Sequence, residues 1–121
     1  MENEERDLFR LQHILESISK ISQIVKKHKN FKSFKDEWIS QDAMIRNFEI
    51  IGEAVTHISD HTKSTFPNIE WSKIKGMRNL IAHEYFGVKL KVIWDTAVIE
   101  IPKLEKYIRE VIASLNQKST N

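Results

Sequence analysis

Apolar residues step by three and four along most of this chain. Leu8, Leu11, Leu15, Ile18, Ser22 and Val25 form the first such series, widened by Ile14 and Ile21. It predicts an amphipathic helix of about five turns. The pattern breaks from Lys26 to Lys35, which marks the first connection. Ser33 with Asp36 resembles a capping box and predicts that a new helix starts there. Met44, Phe48, Ile51, Val55 and Ile58 carry the second helix, broadened by Ile45, Gly52 and Ala54. Ser64 to Ile69, with Pro67 inside it, reads as a loop. A third helix is expected to begin near Asn68 to Trp71 and to end by Gly87, a natural left-handed cap. The fourth series, Leu90, Trp94, Ala97, Ile101, Leu104, Ile108, Val111 and Leu115, keeps its three-four spacing without a slip. Pro102 lies inside it and removes the hydrogen bond to the Val98 carbonyl, so a kinked helix or two helices nearly in line are expected.

The predicted fold is therefore all-α: an up-down four-helix bundle forming one domain over residues 1–121, with a polar tail from about residue 117. Three glycines and two prolines leave few turns, which argues against a β-rich chain. Gly52 is anomalous, because a glycine inside a helix costs about 1 kcal/mol against alanine. It implies close approach of another backbone, within the bundle or across a dimer.

Composition narrows the class. The chain has 40% hydrophobic and 30% charged residues and no cysteine, which excludes a disulfide framework and a thiolate metal site. No apolar run approaches a membrane span. The opening Met1-Glu2-Asn3-Glu4-Glu5 has no apolar signal core, so a cytoplasmic protein without membrane contact is expected. A net charge of +2 is too small to imply nucleic acid by itself. Its distribution is uneven: residues 1–60 carry 9 basic and 11 acidic side chains, residues 61–121 carry 10 and 6. Lys26, Lys27, Lys29, Lys32 and Lys35 cluster near the end of the first helix, where lysines also suit the helix dipole.

The chemistry concentrates in Gly76-Met77-Arg78-Asn79-Leu80-Ile81-Ala82-His83-Glu84-Tyr85-Phe86-Gly87. A permanent cation beside an imidazole that titrates near neutrality suits phosphodiester chemistry. On an ideal helix Ile74, Met77 and Ile81 point to the core and Arg78 falls on the flank. Asn79 and His83 form an i,i+4 pair on the outer face, where Asn79 can orient the imidazole. Arg78 and His83 lie about 140° apart, so they converge only through distortion of the helix end or through a second subunit. A two-fold homodimer would bring two arginines and two histidines into one cleft. Lys73 and Lys75, one turn upstream, are candidate RNA contacts, weighed against plain solvated lysines. His57 and His61 have a spacing that can bind metal, but no third ligand is fixed, so structural or surface histidines and no metal are expected. Trp38, Trp71, Trp94 and Phe86 could stack bases; their places in or beside apolar stripes favour core packing.

Several segments together resemble the HepT-like toxins of the HEPN superfamily. They are Asp42-Ala43-Met44-Ile45-Arg46-Asn47-Phe48-Glu49-Ile50-Ile51-Gly52-Glu53-Ala54, then Trp71-Ser72-Lys73-Ile74-Lys75-Gly76-Met77-Arg78-Asn79-Leu80-Ile81-Ala82-His83, then Glu84-Tyr85-Phe86-Gly87-Val88 and Trp94. A bare Arg-x4-His would be weak; the ordered set covers most of the chain. The resemblance implies a small helical dimer, part of a type VII-like toxin–antitoxin system, with metal-independent endoribonuclease activity and no cofactor. It implies Arg78 and His83 as the catalytic pair, with Asn79 as their polar neighbour. It also implies a minimal nucleotidyltransferase antitoxin that adds AMP to the motif tyrosine, here Tyr85. For Glu53 a role at the site is open. The alternative function is a non-catalytic helical partner that binds a nucleotidyltransferase or its nucleotide.

Overall fold

The computed structural model describes residues 2–84 and 90–119, and all regular structure among them is helical. Four long elements carry the fold: α1 (Glu2–His28), α3 (Trp38–Thr56), α5 (Trp71–Glu84), and a C-terminal run of α6 (Leu90–Asp95), a π-turn (Thr96–Glu100) and α7 (Ile101–Ser119). Two short helices, α2 (Phe31–Phe34) and α4 (Asp60–Thr65), fill the connections. The helical bundle expected from the apolar spacing is present.

Helix α1 is the centre of the bundle, packed on α3 along one side and on the π-turn and α7 along another. This double coverage shifts its buried face. Leu11, Ile14, Ile18 and Ile21 are sealed from solvent, whereas Leu8, Leu15, Ser22 and Val25 remain partly exposed. In α3 the expected stripe is the observed one: Met44, Phe48, Ile51 and Val55 are fully buried. In the C-terminal run Trp94, Ala97, Ile101, Leu104, Ile108, Val111 and Leu115 all face the core.

Polar side chains decide where the helices stop. Lys29 adopts a left-handed φ of 68° and its N–H donates to the Val25 carbonyl at 2.8 Å, a helix-ending geometry usually given to glycine. The buried His28 ring meets Ser33 Oγ through Nδ1 at 2.7 Å and Ser40 Oγ through Nε2 at 2.8 Å. Ser33 is therefore not the cap of a long second helix. Asn30 caps α2, its Oδ1 accepting from the Ser33 N–H at 3.0 Å, and α3 starts only at Trp38.

The loop expected from Ser64 also begins later. Asp7, 1% exposed, accepts from the Ser59 N–H, Ser59 Oγ and Thr62 Oγ1 at 2.9, 2.6 and 2.5 Å. With Ser59 as its N-cap, α4 extends to Thr65. His57 closes α3 and His61 belongs to α4, so the two histidines do not share one helix face. Trp38, expected in the core, is 67% exposed at the start of α3, while Trp71 and Trp94 are buried. Gly87, the expected end of the third helix, lies outside the described residues.

Pro102 does not break the last helix. The Ile101 N–H donates to the Thr96 carbonyl, five residues back. This wide turn immediately precedes the proline and accommodates a ring that a tight α-helical ladder would exclude.

Gly52 marks the crossing of α3 and α5. A Cβ there would lie 2.8 Å from Arg78 Cβ, 3.0 Å from Arg78 N and 3.2 Å from the Lys75 carbonyl oxygen. The close approach is thus within the bundle. Two of these three atoms are backbone, so Gly52→Ala must displace α5. The expected loss is about 1–3 kcal/mol of stability by chemical denaturation. Gly76, with nothing within 4 Å of the added methyl, is the control: Gly76→Ala should be neutral or stabilise by up to about 1 kcal/mol.

Candidate active site

Helix α5 directs Trp71, Ile74 and Met77 inward. The next residue, Arg78, lies on the flank above α3, as helical geometry predicts. Its Nη1 donates to Oε2 of Glu53, and the other carboxylate oxygen of Glu53 lies 3.2 Å from His57 Nε2. Arg78, Glu53 and His57 therefore form a chain across the crossing point. The Arg78 hydrogen bond, helped by His57, holds the Glu53 carboxyl below its ordinary value of 4.5.

Arg78 opens into a cleft of about 370 Å³. Arg10 and His13 of α1 line it, with Arg46, Glu49 and Glu53 of α3. Three guanidinium groups thus border one concavity, and only Arg78 and Arg46 have carboxylates among the described residues: Glu53, and Glu49 at 3.7 Å. A surface with several planar donors in excess of its carboxylates suits a phosphodiester backbone.

The other sequence candidates distribute unevenly. Asn79 and His83 lie within α5; their side chains are outside the described residues, as is Tyr85. Lys75 sits one turn before Arg78, and its carbonyl helps form the Gly52 contact. Lys73 borders a separate groove of about 280 Å³ between α5 and α7, with Lys103 and Tyr107. The structure therefore joins Arg78 not to Lys73 but to Glu53, His57, Arg10, His13 and Arg46. Sequence reasoning could have found Glu53 from its place beside Gly52, because the residue next to a close helix contact faces the neighbouring helix. Arg10 and His13 arrive through the α1–α3 packing, which no local pattern reports.

The ribonuclease HepT-like family model matches residues 14–111, a span holding α3, α5 and the Arg-x4-His spacing. The chain belongs to the HepT-like ribonuclease family. Among its relatives, Putative RNase TTE0752 of Caldanaerobacter subterraneus subsp. tengcongensis is 37% identical over 84% of this chain and 90% of that protein. Probable ribonuclease HepT of Thermococcus cleftensis is 37% identical over 78% of this chain and 86% of its own length. Gamma-glutamylcyclotransferase and putative RNase MJ0434 of Methanocaldococcus jannaschii is 34% identical over 92% of this chain, which spans 50% of that protein. No solved structure matches significantly. No described helix is long and apolar enough to cross a membrane.

The Glu53–Arg78 pair gives this HepT-like chain an acid-sensitive contact. A carboxyl held below its unfolded value contributes stability that is present above that value and lost as pH falls through the folded one. The melting temperature of the wild type should therefore exceed that of Glu53→Gln above about pH 5, and the gap should close below 4.5. A gap independent of pH would mean that the carboxylate charge is not what matters.

Proposed function

We propose that this HepT-like chain is an RNA endonuclease, the toxin of a type VII-like toxin–antitoxin pair acting in the cytoplasm. The observation that carries the reading is Arg78, fixed by Glu53 at the rim of an arginine-lined cleft and five residues before His83 in a family-matched helix.

Cleavage starts from the RNA itself. A base removes the proton of the ribose 2′-OH, whose oxygen attacks the adjacent phosphorus; the bond to the 5′ oxygen breaks, and an acid protonates that oxygen. The products are a 2′,3′-cyclic phosphate and a 5′-OH, and the reaction needs no metal. His83 is the acid–base group, and Asn79 orients its ring from one turn below. Arg78 binds the nonbridging phosphate oxygens and stabilises the charge that grows on them. A guanidinium has five donors, so Glu53 can fix its orientation while other N–H groups face the phosphate. One protomer supplies one such histidine. A homodimer joined through the Asn79 and His83 faces supplies both a base and an acid across its two-fold axis. Lys75, on the Arg78 side, is the better placed of the two lysines to meet RNA near the scissile phosphate; Lys73 would reach it only along the α5–α7 groove.

Purified protein incubated with total RNA and a chelator should leave 2′,3′-cyclic ends. Arg78→Ala and His83→Ala should each reduce cleavage by about 100-fold or more. Unchanged cleavage by His83→Ala, or strict dependence on a divalent ion without cyclic products, contradicts the mechanism. Nucleotide binding without any cleavage would support a non-catalytic partner of a nucleotidyltransferase.

Regulation follows at Tyr85. A nucleotidyltransferase antitoxin transfers AMP from ATP to the Tyr85 phenol: an O–P bond forms, and pyrophosphate leaves with the broken phosphoanhydride bond. The new phosphate competes with RNA for Arg78, and the adenosine blocks the approach. Mass spectrometry after co-expression with the antitoxin should find one AMP on Tyr85, and Tyr85→Phe should escape neutralisation. Neutralisation without modification would mean that the antitoxin acts by binding alone.

A further inference from the structure

The cleft at Arg78 is not the only concavity on the α1–α3 seam among the described residues. Helices α1 and α3 run antiparallel, and a second concavity continues along the same seam, bordered by Lys20, Ile24 and Lys27 of α1 and by Ile39 and Ala43 of α3. The lining residues share one face of each helix: Arg10, His13, Lys20, Ile24 and Lys27 on α1, with a two-turn step between the concavities from His13 to Lys20, and Ile39, Ala43, Arg46, Ile50 and Glu53 on α3. From Ile39 to Glu53 the seam extends about 20 Å along α3, long enough for several nucleotides.

Its chemistry is that of a nucleic-acid groove. Five cations line it (Arg10, Lys20, Lys27, Arg46 and Arg78), and three of them, Lys27, Arg46 and Arg78, are paired with Glu37, Glu49 and Glu53. Arg10 and Lys20 make no ion pair with the described residues, so their charges are available. Apolar side chains accompany them, Ile50 beside Arg10 and Ile24 with the exposed Ile39 beside Lys20. At the Arg10 end, Phe9 is 57% exposed and its ring lies 4.5 Å from that of His13, which lines the cleft. An exposed aromatic pair beside unpaired cations is the combination that binds unpaired bases and their phosphates together. A second copy of the chain fits less well, because a two-fold contact would set this positive excess against itself.

We propose that the outer α1–α3 seam is the track that delivers single-stranded RNA to Arg78, its phosphates passing over Lys20, Arg46 and Arg10 and a base stacking on the Phe9–His13 pair. The track rests on the ribonuclease reading for its purpose but not for its test. Binding is measured by fluorescence anisotropy with a 2′-O-methyl RNA oligonucleotide, which lacks the attacking hydroxyl and cannot be cleaved. The double variant Arg10→Glu, Lys20→Glu should bind at least 10-fold more weakly, with the slope of log affinity against log salt reduced by about 1.4 for two lost phosphate contacts. Phe9→Ala, which changes no charge, should weaken binding about 5-fold or more. Lys106→Glu, on the exposed surface of α7, should bind like wild type. Circular dichroism and sedimentation are recorded for every variant. Wild-type affinity in both Phe9→Ala and the double variant overturns the track, as does a wild type that does not bind. Loss of binding that follows loss of self-association in sedimentation also overturns it and makes the seam an interface between copies. If the track variants weaken binding but wild-type protein cuts no cleavable RNA, the track stands and the endonuclease reading falls.

Discussion

The site depends on the missing side chain at position 52. Gly52 lets α5 approach α3 so closely that a single added methyl would collide with Arg78 Cβ and crowd the Arg78 nitrogen and the Lys75 carbonyl oxygen. At that distance the Arg78 side chain has little choice of direction. It leaves the crossing point over α3 and meets Glu53, the residue after the glycine. One backbone contact thus sets both the height of α5 and the aim of Arg78. The helix-propensity cost of glycine, about 1 kcal/mol, is offset by packing between the two helices.

The same packing explains why a small, nearly neutral chain can gather three arginines around one cleft. Net charge is only +2, but it is not spread evenly over the structure. The acidic residues near the start of α1 include Asp7, which is buried and occupied with Ser59 and Thr62. Glu37 is held below the usual carboxylate range first by its hydrogen bond from Lys27, then by Ser40, so it is also committed. Among the described residues the α1–α3 seam is left with Arg10 and Lys20 as its unpaired cations. Local field, rather than total charge, governs attraction to a polyanion.

How much of this could be read beforehand follows from the range of each interaction. The stripes of α3 and of the C-terminal run depend on i,i+3 and i,i+4 neighbours, so Met44, Phe48, Ile51 and Val55 were legible from spacing alone. In α1 the predicted stripe contained every sealed apolar residue, Leu11, Ile14, Ile18 and Ile21, but spacing alone did not say that Ile14 and Ile21 lie deeper than Leu8, Leu15, Ser22 and Val25, because that depends on two partners covering the helix. Ser33 looked like a cap because capping boxes are local; its actual partner, His28, is set by how α1 ends at the left-handed Lys29. Trp38 was expected in the core because large aromatics usually are, yet its neighbours Asp36, Glu37, Ser40, Gln41 and Asp42 are polar, and it begins a helix facing outward. At the site, Arg78 was legible from its motif, and Gly52 announced a close contact without saying with what. Glu53 waited on that contact. Arg10, His13 and Arg46 meet only when α1 lies along α3, and pairing between distant helices leaves no periodic trace in either.

The claim that most needs testing is that the Gly52 crossing holds Arg78 on Glu53. Carboxyl carbon chemical shifts, followed by NMR as pH is lowered, read the Glu53 charge directly. In the wild type Glu53 should titrate below 4.5. In Arg78→Ala, and in folded Gly52→Ala with α5 pushed away, its midpoint should move back up toward the ordinary value. The same midpoint in all three proteins would show that neither the crossing nor the arginine governs the carboxylate, and the account of the site would be wrong.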